Sequence, residues 1–333
     1  MILRTTANGR NEPMNFKLYP VPMSKRSSNK WIEGLRPQMP VARAARKTLR
    51  RRLRPVGRWL ADAADRAEAS PEFVHQLRVS TRRAMAALEG YAELVPVRKY
   101  EKMTKLLGRI RKCAGTARDC DVFFERLTEG ADAEHWRPLA KRILELRAEA
   151  QEPIEKLHRK LRGGVFEKKV RKLVKKLQTP EHEQETTYEE WARHGLARNV
   201  SLFFEAGAAD LGDITLLHQF RIEGKHLRYA LEYFSAAFGP EVRNELHAEV
   251  ERVQTLLGIV NDHASAIEHM TAWRAEWEEP DLRALLDERL ATEQKALRDA
   301  KQEFQRWWTP QRAAELRNRF AAILELPDEE HAA

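Results

Sequence analysis

The sequence predicts an all-α protein of two four-helix bundles, related by an internal pseudo-twofold repeat, with a basic central cleft or pore. Three observations predict it. Ala, Leu, Arg, Glu and Lys dominate the 333 residues, a helical composition. Gly and Pro number only 15 each, and no stretch sustains a period-two alternation of apolar and polar residues. The segment at 74–96 returns at 217–239, and the same offset of 143 residues then runs on without a gap.

Taken in order, residues 1–40 read as a flexible basic N-terminal extension. They hold Pro13, Pro20, Pro22, Pro37 and Pro40 and a polar patch from Ser24 to Lys30, so no regular structure is assigned there. Residues 41–325 read as about eight helices, some long, followed by a C-terminal tail at 326–333. Pro55 lies inside the first helix and is expected to kink or split it. Ser70 before Pro71 is a cap-then-proline helix start, and Gly239–Pro240 and Thr309–Pro310 have similar roles. Repeat one covers about 41–180 and repeat two about 184–325. Trp307 and Trp308 end an apolar helix and are expected in the core.

Charge divides the chain more sharply than its net +9 suggests. Residues 1–40 are net +5, residues 41–180 net +17 (35 Lys/Arg against 18 acids) and residues 181–333 net −13. A half this basic attracts anions over a long range. No run of 18 apolar residues predicts a membrane span, and the N-terminus lacks the apolar segment of a secretory signal. Cys113 and Cys120 make no disulfide framework, so a reducing, cytoplasmic setting is expected.

The repeat pairs chemistry as well as helices. His75 aligns with His218, Arg78 with Arg221, Arg82 with Lys225, Arg109 with Arg252, Gly115 with Gly258 and Asp119 with Asp262. At 100° per residue, His75, Arg78 and Arg82 lie at about 0°, −60° and −20° on one stripe, with Arg83 on its flank. His218, Arg221, Lys225 and Arg228 lie at about 0°, −60°, −20° and −80°. Cations stacked on one face repel unless an anion joins them, and Arg forks suit phosphate oxygens. Further candidates are Lys47, Arg50, Arg51 and Arg54, then Lys105, Arg109 and Lys112, with Arg193 and Arg252 at repeat positions. The run Lys168 to Lys176 covers all sides of its helix and reads as solvated.

HQLRVSTRR at 75–83, HQFRIEGKHLRYALE at 218–232 and GTARDCDV at 115–122 resemble the CHAD domain, the conserved-histidine α-helical domain, over roughly residues 41–325. The resemblance implies two four-helix bundles around a basic pore, binding of inorganic polyphosphate and, as in some members, association with polyphosphate granules and their proteins. Carried over by motif, it implicates His75, Arg78, Arg82 and Arg83, then His218, Arg221, Lys225 and Arg228, with Arg118 and Asp119 as the family's RD pair. The second copy reads Asn261, Asp262, His263, Ala264, so its second acid is missing.

Enzyme signatures are thin. There is no Gly-rich phosphate loop followed by Lys-Ser/Thr, no nucleophile elbow, no HExxH and no Cys/His quartet. Asp119, Asp121 and Asp262 read as carboxylates that hydrogen-bond helix to helix or form an ion pair that aims an Arg, rather than as metal ligands. The expectation is a non-catalytic polyphosphate binder with no cofactor and no membrane partner. The alternatives are a nucleic-acid binder, weakened by the lack of aromatic residues on the basic stripes, and a phosphohydrolase or phosphoryl acceptor using His75 or His218. A scaffold that carries partners to granules is compatible with the first reading.

Overall fold

The computed structural model describes residues 30–66, 70–128, 133–177 and 186–325. Of the described residues 84% are helical, and none forms a strand. Among the described residues twelve α-helices follow one another: α1 (Val41–Asp65), α2 (Glu72–Gly90), α3 (Val97–Cys113), α4 (Gly115–Thr128), α5 (Arg137–Glu149), α6 (Gln151–Leu161), α7 (Val165–Lys175), α8 (Tyr188–Gly207), α9 (Ile214–Phe234), α10 (His247–Glu276), α11 (Pro280–Trp307) and α12 (Pro310–Leu324). No described helix is long and apolar enough to cross a membrane.

Helix bounds follow the 143-residue offset. Shifted by it, α2 falls at 215–233 within α9, and α1 at 184–208 over α8. The count of twelve rather than eight comes mainly from the first half. α3 and α4 are parted at Ala114, whereas α10 runs through the shifted position at Leu257. α5 and α6 are parted at Ala150, whereas α11 runs through Glu293. Pro55 does not split α1. The carbonyl it leaves unbonded belongs to Arg51, on the exposed face, where water can serve it.

Helix starts follow local capping chemistry. Ser70 Oγ accepts from Glu72 N at 3.1 Å, Asp213 from Thr215 N at 2.6 Å, and Thr309 from Arg312 N at 3.2 Å. Thr187 and Glu190 form a capping box at the head of α8. The heads of α1 and α8 are tied to each other: Val41 N donates to Thr186 O (3.1 Å) and Tyr188 N to Met39 O (2.8 Å). Residues 30–40 contain no helix, yet they are packed. Ile32 and Leu35 are buried, and Arg52 donates to Lys30 O at 2.6 Å. Residues 1–29 of the expected extension and the tail at 326–333 lie outside the described residues.

The core does not stop at the repeat boundary. One large apolar cluster draws on α1–α4 and α6–α12, and includes Leu49, Leu88, Phe203, Phe234 and Phe320. A smaller one joins α4 and α5 to α10 and α11 around Phe123, Trp136, Met270 and Leu286. Trp308 is buried in the large cluster and Trp307 packs against it. α2 packs on α9, and at Gly90 any Cβ would collide with the Tyr233 ring.

Two buried carboxylates tie the halves together. Glu232 of α9, 1% exposed, receives Arg83 of α2 in a fork (Nε 2.7 Å, Nη2 3.0 Å), Arg52 of α1 at 3.3 Å and Arg228 at 3.5 Å. Glu293 of α11 receives Arg126 of α4 at 3.4 Å, His263 of α10 at 2.5 Å and Arg289 at 2.8 Å. Removing one partner of such a pair strands buried charge and costs about 3–5 kcal/mol. Glu232→Gln is therefore expected to lower the denaturant-derived unfolding free energy by about 3 kcal/mol or more. Glu89→Gln, at the exposed repeat-equivalent position, should stay within about 0.5 kcal/mol.

Candidate functional site

α2 and α9 bring the two stripes against each other. Arg82 of α2 lies close enough to Arg221 and Lys225 of α9 to depress the proton affinity of both. Each half then builds the same surroundings. Asp119 acts on Arg78, and its repeat partner Asp262 acts on Arg221. Arg118 acts on His75, and its repeat partner Asn261 places Oδ1 3.1 Å from His218 Nδ1. Arg111 acts on Arg78, and its repeat partner Gln254 donates to Arg221 O at 3.2 Å. Gly224 makes room for that Gln254 amide, which would collide with a Cβ there.

Ion pairing sorts the candidate residues into two groups. Arg83 is held on Glu232 rather than reaching in from the flank. Arg228 shares Glu232 and lies over the Tyr229 ring at 4.6 Å, at the edge of the cluster. His75, Arg78, Arg82, Arg118, Arg221 and Lys225 make no side-chain hydrogen bond or ion pair with any described residue. The Nε atoms of Arg82 and Arg221 are buried without a partner. A buried donor left unmade costs about 1–3 kcal/mol, and more when charged. His218, unlike His75, is exposed.

The remaining candidates lie apart from this group. Arg50, Arg51 and Arg54 are exposed on α1, and Lys47 donates to Gly34 O at 2.8 Å. Lys105, Arg109 and Lys112 are exposed on α3, about 100° or more round the helix from Arg111. Arg193 pairs with Glu189 and Glu325, both at 3.3 Å, and donates to Ile323 O. Arg252 lies over the Trp307 ring at 5.2 Å. Sequence reasoning missed Arg111 and Arg52. The signal for Arg111 was its place at i, i+4, i+7 with Gly115 and Arg118, since a Cβ on Gly115 would sit 3.4 Å from Arg78 Nη1. Arg52 carried no such signal, because its partner Glu232 is 180 residues away.

Asp121 has a separate job. It pairs with Arg147 at 2.7 Å, and burial pushes its carboxyl up against that partner's pull. At the repeat positions stand Ala264 and Leu290. Neither member of the pair has a charged counterpart there, so no stranded charge results.

Burial and mutual repulsion hold the unpaired cations below their ordinary proton affinity. Arg78 and Arg221 are lowered mainly by burial, with Asp119 and Asp262 opposing. His75 is lowered by burial and then by Arg118. Lys225 falls furthest, to about 7, through burial and the charges of Arg221, Arg82 and Arg228. Such an array can receive a polyanion through several forked donors at once.

The profile of the CHAD domain matches residues 49–271. The chain belongs to the CHAD-domain family. That family is known as polyphosphate-binding. This CHAD domain resembles the crystal structure of the CHAD domain from the plant Ricinus communis with a TM-score of 0.62 and 19% identity, over 89% of this chain and 96% of that one. It also resembles PptA from Streptomyces chartreusis with a TM-score of 0.58 and 18% identity, over 83% of this chain and 99% of that one. At these identities the likeness speaks for the fold. No curated protein matches the chain.

The depressed Lys225 makes stability depend on pH with a definite sign. Its affinity for a proton is lower folded (about 7) than unfolded (about 10.4), so between those values the unfolded chain binds more protons. The CHAD domain therefore gains stability from Lys225 as pH rises through this window and lacks it below pH 7. Lys225→Met removes the term. The variant is expected to melt above the parent at pH 6, with the gap closing steadily toward pH 9, as followed by thermal unfolding at both ends.

Proposed function

We propose that this protein binds inorganic polyphosphate, without catalysis, in the cation cluster between α2 and α9. The observation that carries the reading is the pair of buried, unpartnered Nε donors on Arg82 and Arg221 among cations that no described carboxylate pairs. An anion of high charge density relieves both costs at once, the unmade hydrogen bonds and the repulsion. Family membership supports the choice of phosphate.

The chemistry favours a linear chain over a single phosphate. His75, Arg78, Arg82, Arg221 and Lys225 come from two helices, so successive phosphates meet successive donors and release condensed counterions as they bind. Asp119 and Asp262 act on Arg78 and Arg221 through space, with no ion pair that would neutralise the group. None of the cluster stands beside a base and a leaving-group acid arranged for hydrolysis, which supports the non-catalytic reading. The setting that fits is cytoplasmic, with polyphosphate granules as the place of work.

Calorimetric titration with long-chain polyphosphate at two salt concentrations tests the reading. Affinity should fall steeply with salt. Arg78→Ala/Arg221→Ala should bind at least about 100-fold more weakly, with helicity unchanged by circular dichroism. Lys172→Ala/Lys175→Ala, on the exposed face of α7, should bind as the parent does. If RNA at matched phosphate concentration displaces polyphosphate with equal strength, the site is a general polyanion groove instead.

A further inference from the structure

We propose that α1 and α7 form a second binding surface, which takes double-stranded nucleic acid by its phosphate backbone. It lies apart from the cation cluster and stands whether or not that cluster holds polyphosphate.

The surface follows from the spacing and burial of α1. Arg43, Lys47, Arg50, Arg51, Arg54 and Arg58 are all exposed. Along the helix they lie at about 0°, 40°, −20°, 80°, 20° and 60°, a single stripe about 100° wide. Arg52, which turns inward to Glu232, lies at about 180°. The stripe therefore faces away from Glu232 and from the cluster between α2 and α9. No acid occurs on α1 before Asp62. Lys47 donates to Gly34 O and Arg58 lies over the Trp59 ring, but none of the six forms an ion pair with a described residue.

α7 widens the stripe into a face. The two helices run antiparallel: Phe166 and Glu167 stand beside Gly57, and Arg46 donates to Leu177 O at 3.3 Å. Phe166, Val170, Leu173 and Val174 turn inward, which leaves every basic residue from Lys168 to Lys176 exposed. None of these is ion-paired with a described residue either. Glu167 marks the edge next to α1, and Arg171 and Lys175 follow it one and two turns on.

Like charges one turn apart repel, and a polyanion relieves them. The six cations of α1 span 15 residues, about 23 Å, or about one charge per 4 Å. One strand of a duplex carries a phosphate for roughly every 3.4 Å of axis, so the two spacings are comparable. No aromatic side chain is exposed on the stripe, so a single strand gains no base stacking there. The apolar side of α1 is spent on the core, which leaves no wedge for a membrane. A duplex is too broad and stiff to reach the buried Nε atoms of Arg82 and Arg221. The duplex and a flexible phosphate chain thus have different seats. Contacts to phosphates alone carry no sequence information.

Fluorescence anisotropy of the full chain with labelled DNA duplexes of about 20 base pairs tests this. Two duplexes of unlike sequence should bind within about twofold of each other. The logarithm of affinity should fall against the logarithm of salt with a slope of about −5. Arg50→Ala/Arg51→Ala/Arg54→Ala removes three exposed contacts. It should lower that slope by about three and weaken binding at least about 30-fold, with helicity unchanged by circular dichroism. Arg78→Ala/Arg221→Ala should bind the duplex as the parent does, so this surface and the polyphosphate reading fail separately. Binding of an RNA duplex of equal length supports the proposal as DNA does and names the source. Absent or salt-insensitive binding overturns it, as does tighter binding of a single strand with the same number of phosphates. Loss of duplex binding in Arg78→Ala/Arg221→Ala, with the α1 variant at parent strength, places the duplex in the cluster and overturns it too. If only polyphosphate binds and the α1 variant weakens it, the face belongs to polyphosphate instead.

Discussion

A single buried carboxylate, Glu232, sets the frame on which the rest depends. Three guanidinium groups from α1, α2 and α9 converge on it, so one acid satisfies cations from both halves of the chain. Burial pushes Arg52 down to about 10 even with that partner present. The arrangement has no counterpart at the repeat positions. Gly195, His226 and Met85 stand where a second set of partners would be, and Glu89 is exposed. The helices follow the 143-residue offset, while the buried acid that locks α2 to α9 stands at only one of the two positions.

That lock explains why the neighbouring cations are left over. Arg83 and Arg228 are consumed by Glu232, whereas Arg82 and Lys225 make no ion pair with any described residue. Asp119 acts on Arg78, Asp262 on Arg221 and Lys225, and Glu72 on His75. The folded protein consequently stores electrostatic repulsion in one place. Proton loss from Lys225 and the arrival of an anion are two ways of relieving the same repulsion.

The helical class and the two stripes were legible in the sequence because both are written in local spacing. HxxR followed by a basic residue four positions on places side chains on one face whatever the tertiary context, and the 143-residue offset repeats it. Ion pairing was not legible. Arg83 and Glu232 are 149 residues apart, so nothing near Arg83 marked it as structural, while Arg82 beside it remains unpaired. Arg111 was passed over because the stripe of Lys105, Arg109 and Lys112 on the same helix drew the reading to another face. The exposed stripes on α1 and α3 have the same spacing as the cluster. Spacing alone does not distinguish a face turned to solvent from one turned to another helix.

The tie between the heads of α1 and α8, with Glu232 beyond it, has a consequence for how the chain is made. The basic half leaves the ribosome first. At about 5–20 residues per second, Arg52 waits roughly ten to forty seconds for Glu232 to be synthesised. The large apolar cluster needs side chains from α8, α9, α10 and α12, so the early half has no finished core of its own during that interval. A nascent segment of net charge +17 therefore emerges beside ribosomal RNA before its acid partner exists.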